Sequence, residues 1–396
     1  MNRLVILVSS AVLIVGILVY IISKSQEDGG FFGEDTNNPS KSSMSKTSDP
    51  TKPSGTRENT EDPTADGVTP SQLLEQYEEW AQYPPYSRPL SSANFDLINP
   101  FFIESPPDIM LNKIGDKDPN GFVCHLQPKS WAVVGDESMI ITLECRDKER
   151  NRAKINIESS QMFREFDGKR FGAVSPDVND RGSDGDVQAG DNIYTFKWRP
   201  LKADWGQMLL TTKIAYGPEN KKAELQTSFF SSPNRTAEFT GVFSDTKEDG
   251  SLVIRAAVQV YKKGNYHLEA NLKDEKNGEW IGYSTVDETL ASGRQEVTFV
   301  FFGKLLRDKN LDGPYVITLL RGHRVNLPID PEWFNQGAEG LRKIQEARST
   351  EPDRELVTPY KDEYKTRYYK VEDFSKAQWD SKEKRERIEQ LKNLKN

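Results

Sequence analysis

The sequence predicts a mostly β protein with two β-sandwich domains behind an N-terminal transmembrane helix and a disordered stalk, with short flanking helices. Three observations predict it. One long uncharged run lies at the N-terminus, a stretch rich in Ser, Thr and Pro follows it, and alternating strand-like runs fill most of the remainder. At 396 residues the chain is long enough for two or three domains.

Composition narrows the classes of partner. The formal net charge is −8, with 29% charged and 35% hydrophobic residues. A mildly acidic protein repels the phosphate backbone of nucleic acids. We therefore expect no nucleic acid as the main partner.

The N-terminal apolar run covers residues 4–22, which are 19 uncharged residues between Arg3 and Lys24. As a helix they span about 28 Å, close to the thickness of the hydrocarbon core of a bilayer. The run ends in bulky residues and has no small-x-small cleavage site, which favours an uncleaved anchor over a signal peptide. Residues 1–24 are therefore predicted to be a transmembrane signal anchor.

Orientation follows from the short, positively charged N-terminal tail. Such a tail usually stays in the cytoplasm. We expect a single-pass protein of the inner (cytoplasmic) membrane, with the bulk of the chain periplasmic or extracellular.

Residues 25–69 are predicted to be a disordered stalk. They are rich in Ser, Thr, Pro, Asp, Asn and Gly and contain few apolar side chains. Such a segment cannot bury enough surface to offset the entropy of ordering it. As a coil it reaches about 35–40 Å, which holds the folded region away from the membrane.

Residues 70–121 combine a short helix with an extended segment. Leu73, Leu74, Tyr77 and Trp80 give a helix from Ser71 to about Gln82 one apolar face. Residues 83–109 then carry six prolines and many aromatic side chains. We favour the interpretation that this segment packs between the domains over the alternative of an exposed docking strip, because large apolar clusters rarely remain exposed.

Residues 122–233 show strand periodicity. The runs at 138–145, 153–158, 192–198 and 208–215 alternate or are β-branched, and turn residues separate them. About seven strands in some 110 residues is typical of an immunoglobulin-like (Ig-like) β-sandwich.

The only two cysteines, Cys124 and Cys145, lie in this domain. In an oxidising compartment they can close a loop of about 20 residues, and such a disulfide contributes about 3 kcal/mol to stability. The competing interpretation is a pair of buried, reduced thiols.

Residues 234–326 predict a second β-sandwich. Strands are expected at 237–243, 251–260, 264–273, 280–290, 293–303 and 313–320. The links at 262–265 and 291–293 are expected to be hairpin-type turns.

Residues 327–396 are predicted to form a helical, charged C-terminal tail. One helix is expected to start near Asp330 and Pro331. The segment 374–394 is charged, with a thin apolar stripe, which favours a solvated surface helix over a partner-binding helix.

No pattern predicts catalysis. The three histidines, His125, His267 and His323, are spread over three segments, and no HExxH spacing, nucleophile elbow or phosphate-binding loop occurs. His125 follows Cys124, but neighbouring residues on a strand point to opposite faces. The sequence therefore favours a protein that is not an enzyme.

One segment has the composition of a calcium-binding loop. Four aspartates stand among glycines within a short stretch, and they are the candidate ligands: Asp180, Asp184, Asp186 and Asp191. Clustered carboxylate oxygens on a flexible loop are what Ca²⁺ requires, although the spacing is not that of an EF-hand. The competing interpretation is a loop held by Asx turns. No other cofactor is expected.

The segment 185–195, GDVQAGDNIYT, resembles the GDxxAGDGxYT signature of Ig-like modules on bacterial surface proteins. The second domain, with GNYHLEANLKDEKNGEWI at 264–281 and SGRQEVTFVFFGKLLRDKNLDGPYVITLL at 292–320, resembles the partner module of the choice-of-anchor X group. Asn192 stands where the signature has glycine, and asparagine also accepts left-handed conformations. The resemblance covers residues 122–324 and implies a bacterial envelope location and a role as spacer or binding unit.

These observations favour a non-catalytic, membrane-anchored envelope protein that acts as a binding or scaffold subunit, with a protein partner in the envelope. One alternative is a carbohydrate-binding or hydrolase accessory protein that uses exposed aromatic residues, with Trp198, Trp205 and Trp280 available. Another is an assembly factor or chaperone for exported proteins, which would offer an unpaired strand edge.

Overall fold

The computed structural model describes residues 69–103, 109–110, 121–166, 169–326, 329, 331–347 and 352–394. The predicted membrane helix of residues 4–22 lies outside these ranges, as does the predicted stalk up to residue 68. No helix in the described ranges combines the length and apolar character needed to cross a bilayer. In these ranges the protein is mostly β and forms two β-sandwiches.

The described chain begins with helix α1 (Pro70–Trp80), strand β1 (Ser87–Pro89) and the short helix α2 (Phe95–Ile98). Helix α1 ends before Pro84, which cannot continue a helix. Strand β1 forms the edge of a sheet in the second sandwich.

The first sandwich contains ten strands: β2 (Ile109–Met110), β3 (Val123–Pro128), β4 (Ala132–Val134), β5 (Met139–Arg146), β6 (Asn156–Phe166), β7 (Lys169–Val174), β8 (Asp177–Asn179), β9 (Ile193–Trp198), β10 (Gly206–Tyr216) and β11 (Lys221–Ser232). They form two five-stranded sheets, ordered β2-β3-β5-β9-β8 and β4-β11-β10-β6-β7. Strand β5 buries every second side chain, as period-two patterning requires.

A disulfide crosses the first sheet. Cys124 of β3 lies directly opposite Cys145 of β5, both side chains are fully buried, and the two sulfur atoms are 1.96 Å apart. The structure thus contains the bonded pair.

The second sandwich contains β12 (Ala237–Glu248), β13 (Ser251–Val260), β14 (Gly264–Asp274), β15 (Trp280–Leu290), β16 (Gly293–Phe301) and β17 (Tyr315–Val325). Helix α3 (Gly303–Lys309) connects the last two of these strands. One sheet has the order β12-β13-β16, and β1, β15, β14 and β17 belong to the other.

The two short links were not the hairpin turns that the sequence predicted. Strands β13 and β14, which flank the link at 262–265, belong to different sheets, and so do β15 and β16, which flank the link at 291–293. Both links therefore cross from one sheet of the sandwich to the other. The hairpins of this sandwich are β12–β13, where the chain turns between Glu248 and Ser251, and β14–β15, where it turns between Asp274 and Trp280.

Residues 331–347 belong to a separate compact unit. A 3₁₀ turn (Pro331–Asn335) leads into helix α4 (Gly337–Glu346). Position 340, inside this helix, requires glycine, because a Cβ there would lie 1.7 Å from the carbonyl oxygen of Trp333.

Part of the segment that was predicted to be a C-terminal tail belongs to the second sandwich. Strands β18 (Arg354–Leu356) and β19 (Tyr364–Lys365) both pair with β17, and Val357 and Phe374 are buried in the second core. Only helix α5 (Lys382–Asn393) matches the predicted charged helix. The prediction failed for residues 352–379 because their partners lie about 30 or more residues earlier in the chain.

Candidate functional site

The two sandwiches meet along a small apolar contact, which we call the seam. Ala132 and Val134 of β4 pack against Leu356 of β18, and Trp131 and Phe230 cover this cluster. The seam thus joins an edge strand of the first sandwich to an edge strand of the second.

The Pro- and aromatic-rich segment runs across both sandwiches. Strand β1 pairs with β15, and the following Leu90 is 1% exposed. Farther along, Asn271 of β14 donates a hydrogen bond from Nδ2 to the carbonyl oxygen of Leu97, at 2.8 Å. This half of the segment is fixed to the second sandwich.

The end of the segment is fixed to the first sandwich through Trp131. Its Nε1 donates a 2.5 Å hydrogen bond to the carbonyl oxygen of Pro100, and its ring stacks on Phe101 with centroids 6.3 Å apart. Residues 87–101 therefore bridge the two sandwiches.

Two aromatic rings of the same segment remain exposed. Phe95 is 52% and Phe102 56% exposed, and their rings make an edge-to-face contact with centroids 5.3 Å apart. The described part of the segment therefore packs between the sandwiches and also leaves two aromatic rings exposed; whether these rings dock a partner stays a prediction.

A groove of about 550 Å³ lies beside the exposed rings. Its volume falls in the range of about 300–1,000 Å³ that is typical of binding sites. It draws its walls from the segment and from both sandwiches, and we call it the seam groove; its lining includes Ile98, Phe101, Phe102, Lys129, Met139, Ile140 and Leu319.

Leu319 enters the groove from an irregular point in β17. The register between β14 and β17 shifts between Glu269 and Asn271, and Leu319 has a left-handed φ of 53°. A non-glycine residue in this region costs about 1–3 kcal/mol, and such strain is concentrated at functional sites. Because the strained residue Leu319 lines the groove, we treat the groove as a candidate functional site.

A charged network lies on β14 and β17 behind the groove. Arg321 donates from Nη1 to the carbonyl oxygen of Leu319 at 2.9 Å and to Oδ1 of Asn271 at 3.2 Å. Its Nε pairs with Glu269 at 2.7 Å. Arg321 thereby fixes the bulge at Leu319 in the groove wall, and Asn271 fixes Leu97, the residue before Ile98 of the lining.

His267 extends this network along β14. Its Nδ1 lies 2.7 Å from Asp287 and its Nε2 3.2 Å from Glu269. Burial lowers the pKa of His267, but the hydrogen bonds to the two carboxylates outweigh burial and raise the pKa to about 9. Burial raises the pKa of Glu269, yet His267 and Arg321 lower it to about 2. At neutral pH the network is a chain of alternating charges.

Sequence reasoning missed this network because its members lie on three strands. The antiparallel register places His267 opposite both Asp287 of β15 and His323 of β17. The alternation of His267, Glu269 and Asn271 along β14 was the available signal, because residues two apart share one face of a sheet.

The predicted calcium ligands are only partly brought together. Oxygens of Asp180, Asp186 and Asp191 lie within 4.8 Å of one another. Asp184 lies apart from them, and its carboxylate pairs with Lys197 at 2.9 Å.

Each of the three carboxylates also has a partner within the protein. Asp180 accepts a hydrogen bond from the backbone N–H of Gly190 at 2.8 Å, Asp186 accepts one from the backbone of Gly182, and Asp191 pairs with Arg152 at 3.0 Å. The Asx-turn interpretation is matched at Asp191, whose Oδ1 accepts a hydrogen bond from the backbone N–H of Ile193, two residues later, at 3.0 Å. With one oxygen from each carboxylate, the three residues supply fewer ligands than the six to eight oxygens that Ca²⁺ takes, so second carboxylate oxygens, backbone carbonyls or water would have to complete a calcium site.

The three tryptophans suggested for sugar binding differ in how exposed their side chains are. Trp198 is 5% exposed in the first core. Trp205 is half-buried, with the guanidinium of Arg164 4.1 Å from its ring centroid, and Trp280 is half-buried in β15. Trp198 therefore offers no platform for a ligand.

No protein-family model matches the sequence, and no curated protein matches it significantly. Among solved structures, a DUF4785 family protein from Legionella pneumophila is 17% identical, with a TM-score of 0.39 over 51% of this chain. The match spans 52%, about half, of that protein. A chimeric titin Z1Z2 tandem is 12% identical, with a TM-score of 0.18 over 55% of this chain and 91% of that one. An alpha-2-macroglobulin from Escherichia coli is 12% identical, with a TM-score of 0.19 over 56% of this chain and 16% of that one. At this level of similarity these proteins indicate neither activity nor partner.

Proposed function

We propose that the chain is a non-catalytic, membrane-anchored protein of a bacterial envelope that binds a protein partner through the surface at its seam. In this proposal the two sandwiches are Ig-like modules of a binding or scaffold subunit, held on the far side of the inner membrane by residues 4–22 and a disordered stalk.

One observation carries the proposal. Phe95 and Phe102 project from a segment that is fixed to both sandwiches, next to a groove of about 550 Å³. Exposed aromatic residues on a rigid support are typical of the residues that dominate binding energy at protein interfaces. Because the segment is already ordered, little conformational entropy is lost when a partner binds.

The test is crosslinking and affinity capture from membranes with the full chain, anchor included. The wild type is compared with Phe95→Ala/Phe102→Ala and with a control, Val187→Ala/Leu201→Ala, whose side chains are 95% and 69% exposed elsewhere.

We expect one stoichiometric envelope partner with the wild type and the control, and at least about tenfold less of it with the Phe95/Phe102 variant. Capture of no stoichiometric protein, or equal capture by all three chains, contradicts the proposal. Binding of the chain to a glycan array with no protein captured would replace it with the carbohydrate-binding alternative.

A further inference from the structure

An edge strand of a sheet offers unpaired backbone groups to which another strand can bind, and most edges of the four described sheets are protected against this. Strands β1, β2, β4, β8, β18 and β19 are only two or three residues long. The register of β7 against β6 shifts between Met162 and Arg164. The register of β12 against β13 shifts between Phe239 and Phe243, and β12 is also bridged to Thr358.

Strand β16 is the exception among the described edges. It is nine residues long, its register against β13 is continuous, and its other edge pairs with no described strand. The carbonyl oxygen of Val300 accepts a 3.0 Å hydrogen bond from Oγ of Ser284, so the backbone of Val300 points away from β13. Alternate residues of an antiparallel strand share this direction. Thr298, Glu296 and Arg294 therefore present their N–H and C=O groups at the open edge.

Two of these edge residues carry opposite charges that the chain itself uses little. Arg294 and Glu296 are both exposed, and Arg294 forms no ion pair with any described residue. The nearest cation to Glu296 is Arg255, whose Nε lies 3.9 Å away. Arg255 pairs more closely with Glu248, at 2.8 Å. The open edge therefore carries one free positive and one weakly paired negative side chain, two residues apart.

This charge pattern is complementary to itself. Two antiparallel copies of β16 exchange hydrogen bonds only when their outward-pointing residues face each other. With the two-fold axis at Gln295, Arg294 of each copy faces Glu296 of the other, and the attractive pair occurs twice. With the axis at Glu296 the two carboxylates would face each other, which is destabilising. With the axis at Val297 neither charge would meet its opposite. The charges thus select the axis at Gln295.

The selected register also agrees with the surroundings of β16. It pairs residues 292–298 of each copy and leaves Val300 with its bond to Ser284. At the opposite edge of the same sheet, β12 is bridged to Thr358, two residues after Leu356 of the seam. The β16 edge therefore lies on the side of the second sandwich away from the seam, so pairing there leaves the seam of each copy accessible.

We propose that two copies of the chain pair antiparallel through residues 292–298 of β16, with Arg294 of each copy against Glu296 of the other, so that two three-stranded sheets become one sheet of six strands. The two-fold pairing uses the same edge on both copies, so it closes as a dimer and does not grow into a fibre. The inference goes beyond the proposed function and stands without it. A dimer would present two seams, which strengthens the binding of a partner that has two binding sites.

The charges are tested by sedimentation velocity of the full chain in detergent over a range of protein concentrations. Arg294→Glu places like charges opposite each other twice and should raise the Kd of the dimer at least about tenfold. Arg294→Glu/Glu296→Arg restores opposite charges and should return the Kd to within about threefold of the wild type. Lys202→Glu makes the same charge change at an exposed lysine of the first sandwich and should leave the Kd unchanged.

The register is tested by crosslinking the full chain in membranes. In the proposed register Gln295 lies directly opposite its own copy as a non-hydrogen-bonded pair, with Cα atoms about 4.5 Å apart. Gln295→Cys should therefore form a disulfide-linked dimer under oxidising conditions. The native cysteines are buried and bonded to each other, so they do not interfere. Arg170→Cys, at an exposed position on the β7 edge, is the control and should remain monomeric.

A wild type that is monomeric at every concentration overturns the inference. So does equal weakening by Arg294→Glu and by the double variant, or equal crosslinking of Gln295→Cys and Arg170→Cys. Crosslinking of Gln295→Cys to a different protein would show that the edge takes a foreign strand, which also overturns it. None of these results bears on the proposed function, which is contradicted only if capture of an envelope partner fails or does not depend on Phe95 and Phe102.

Discussion

His267 and His323 lie side by side on adjacent strands, with ring centroids 5.3 Å apart, and their pKa values are shifted in opposite directions. Two carboxylates raise the pKa of His267 to about 9. Burial, together with the positive charges of Arg354 and His267, lowers the pKa of His323 to about 3. Near neutral pH a charged imidazolium therefore packs against a neutral imidazole.

This pair predicts a maximum of stability near pH 6.5. The folded pKa of His267 lies above its ordinary value of 6.5, so its contribution is complete below pH 6.5 and is lost as the pH rises towards 9. The folded pKa of His323 lies below 6.5, so its contribution is complete above pH 6.5 and is lost as the pH falls towards 3. Urea unfolding between pH 4 and pH 9.5 should show both declines.

Single substitutions should separate the two declines. His267→Asn should flatten the alkaline decline, and His323→Phe should reduce the acidic decline, part of which also comes from Glu269 because its folded pKa is lowered to about 2. His125→Asn, on β3 of the other sandwich, is the control and should change neither. Stability that does not vary between pH 6.5 and pH 9 in the wild type would contradict the assignment of His267.

Arg321→Met should destabilise the second sandwich by about 3 kcal/mol, because it leaves the partly buried Glu269 without its closest cation. It should also weaken partner capture, since the carbonyl of Leu319 loses its donor at the groove wall. Lys213→Met, which breaks an exposed pair with Glu224 at 3.8 Å, is the control and should cost less than about 1 kcal/mol. Equal losses of unfolding free energy for the two variants would show that the network does not support the groove.

Asp245→Asn should cost about 2–3 kcal/mol, measured as the free energy of unfolding. Asp245 is 4% exposed and accepts hydrogen bonds from Tyr364 at 2.6 Å, Tyr369 at 2.5 Å and Arg367 at 3.1 Å. An amide cannot accept all of them at full strength. Asp249→Asn, in the exposed turn after β12, should change stability by less than about 0.5 kcal/mol.

The aspartate loop should not depend on calcium for its stability. Because Asp180, Asp186 and Asp191 already accept bonds within the protein, EDTA should shift the melting temperature by less than about 1 °C. Asp186→Ala should destabilise the first sandwich by about 1–3 kcal/mol, since Asp186 is buried and also accepts a hydrogen bond from Thr195. The exposed Asp184→Ala is its control. A rise of several degrees in melting temperature on addition of Ca²⁺ would instead establish a calcium site.

The regular strands could be predicted from the sequence. The runs at 138–145 and 192–198 became β5 and β9, because one face of each strand is buried and the alternation of apolar residues records this. Strands β18 and β19 could not be predicted. They are only three and two residues long, too short for a period to be visible, and distant partners specify them.

For the candidate site, the sequence predicted which segment takes part but not the arrangement of its side chains. The proline and aromatic content of residues 83–109 indicated a packed segment, but which rings are buried depends on Trp131 of the other sandwich. The bulge at Leu319 left no mark in the sequence, because leucine rarely has a left-handed conformation and none would be inferred for it.

The place of residues 352–374 in the second core has a consequence for biosynthesis. The first sandwich is complete once Ser232 has been synthesised, so it can fold while the chain is still being translated. The second sandwich lacks Val357 and Phe374 until residue 374 has been synthesised, more than 130 residues after the start of β12, and its unfinished core would expose β12 and β17 to other chains in the meantime. A premature stop codon after residue 350 would therefore yield a folded first sandwich joined to an aggregation-prone remainder.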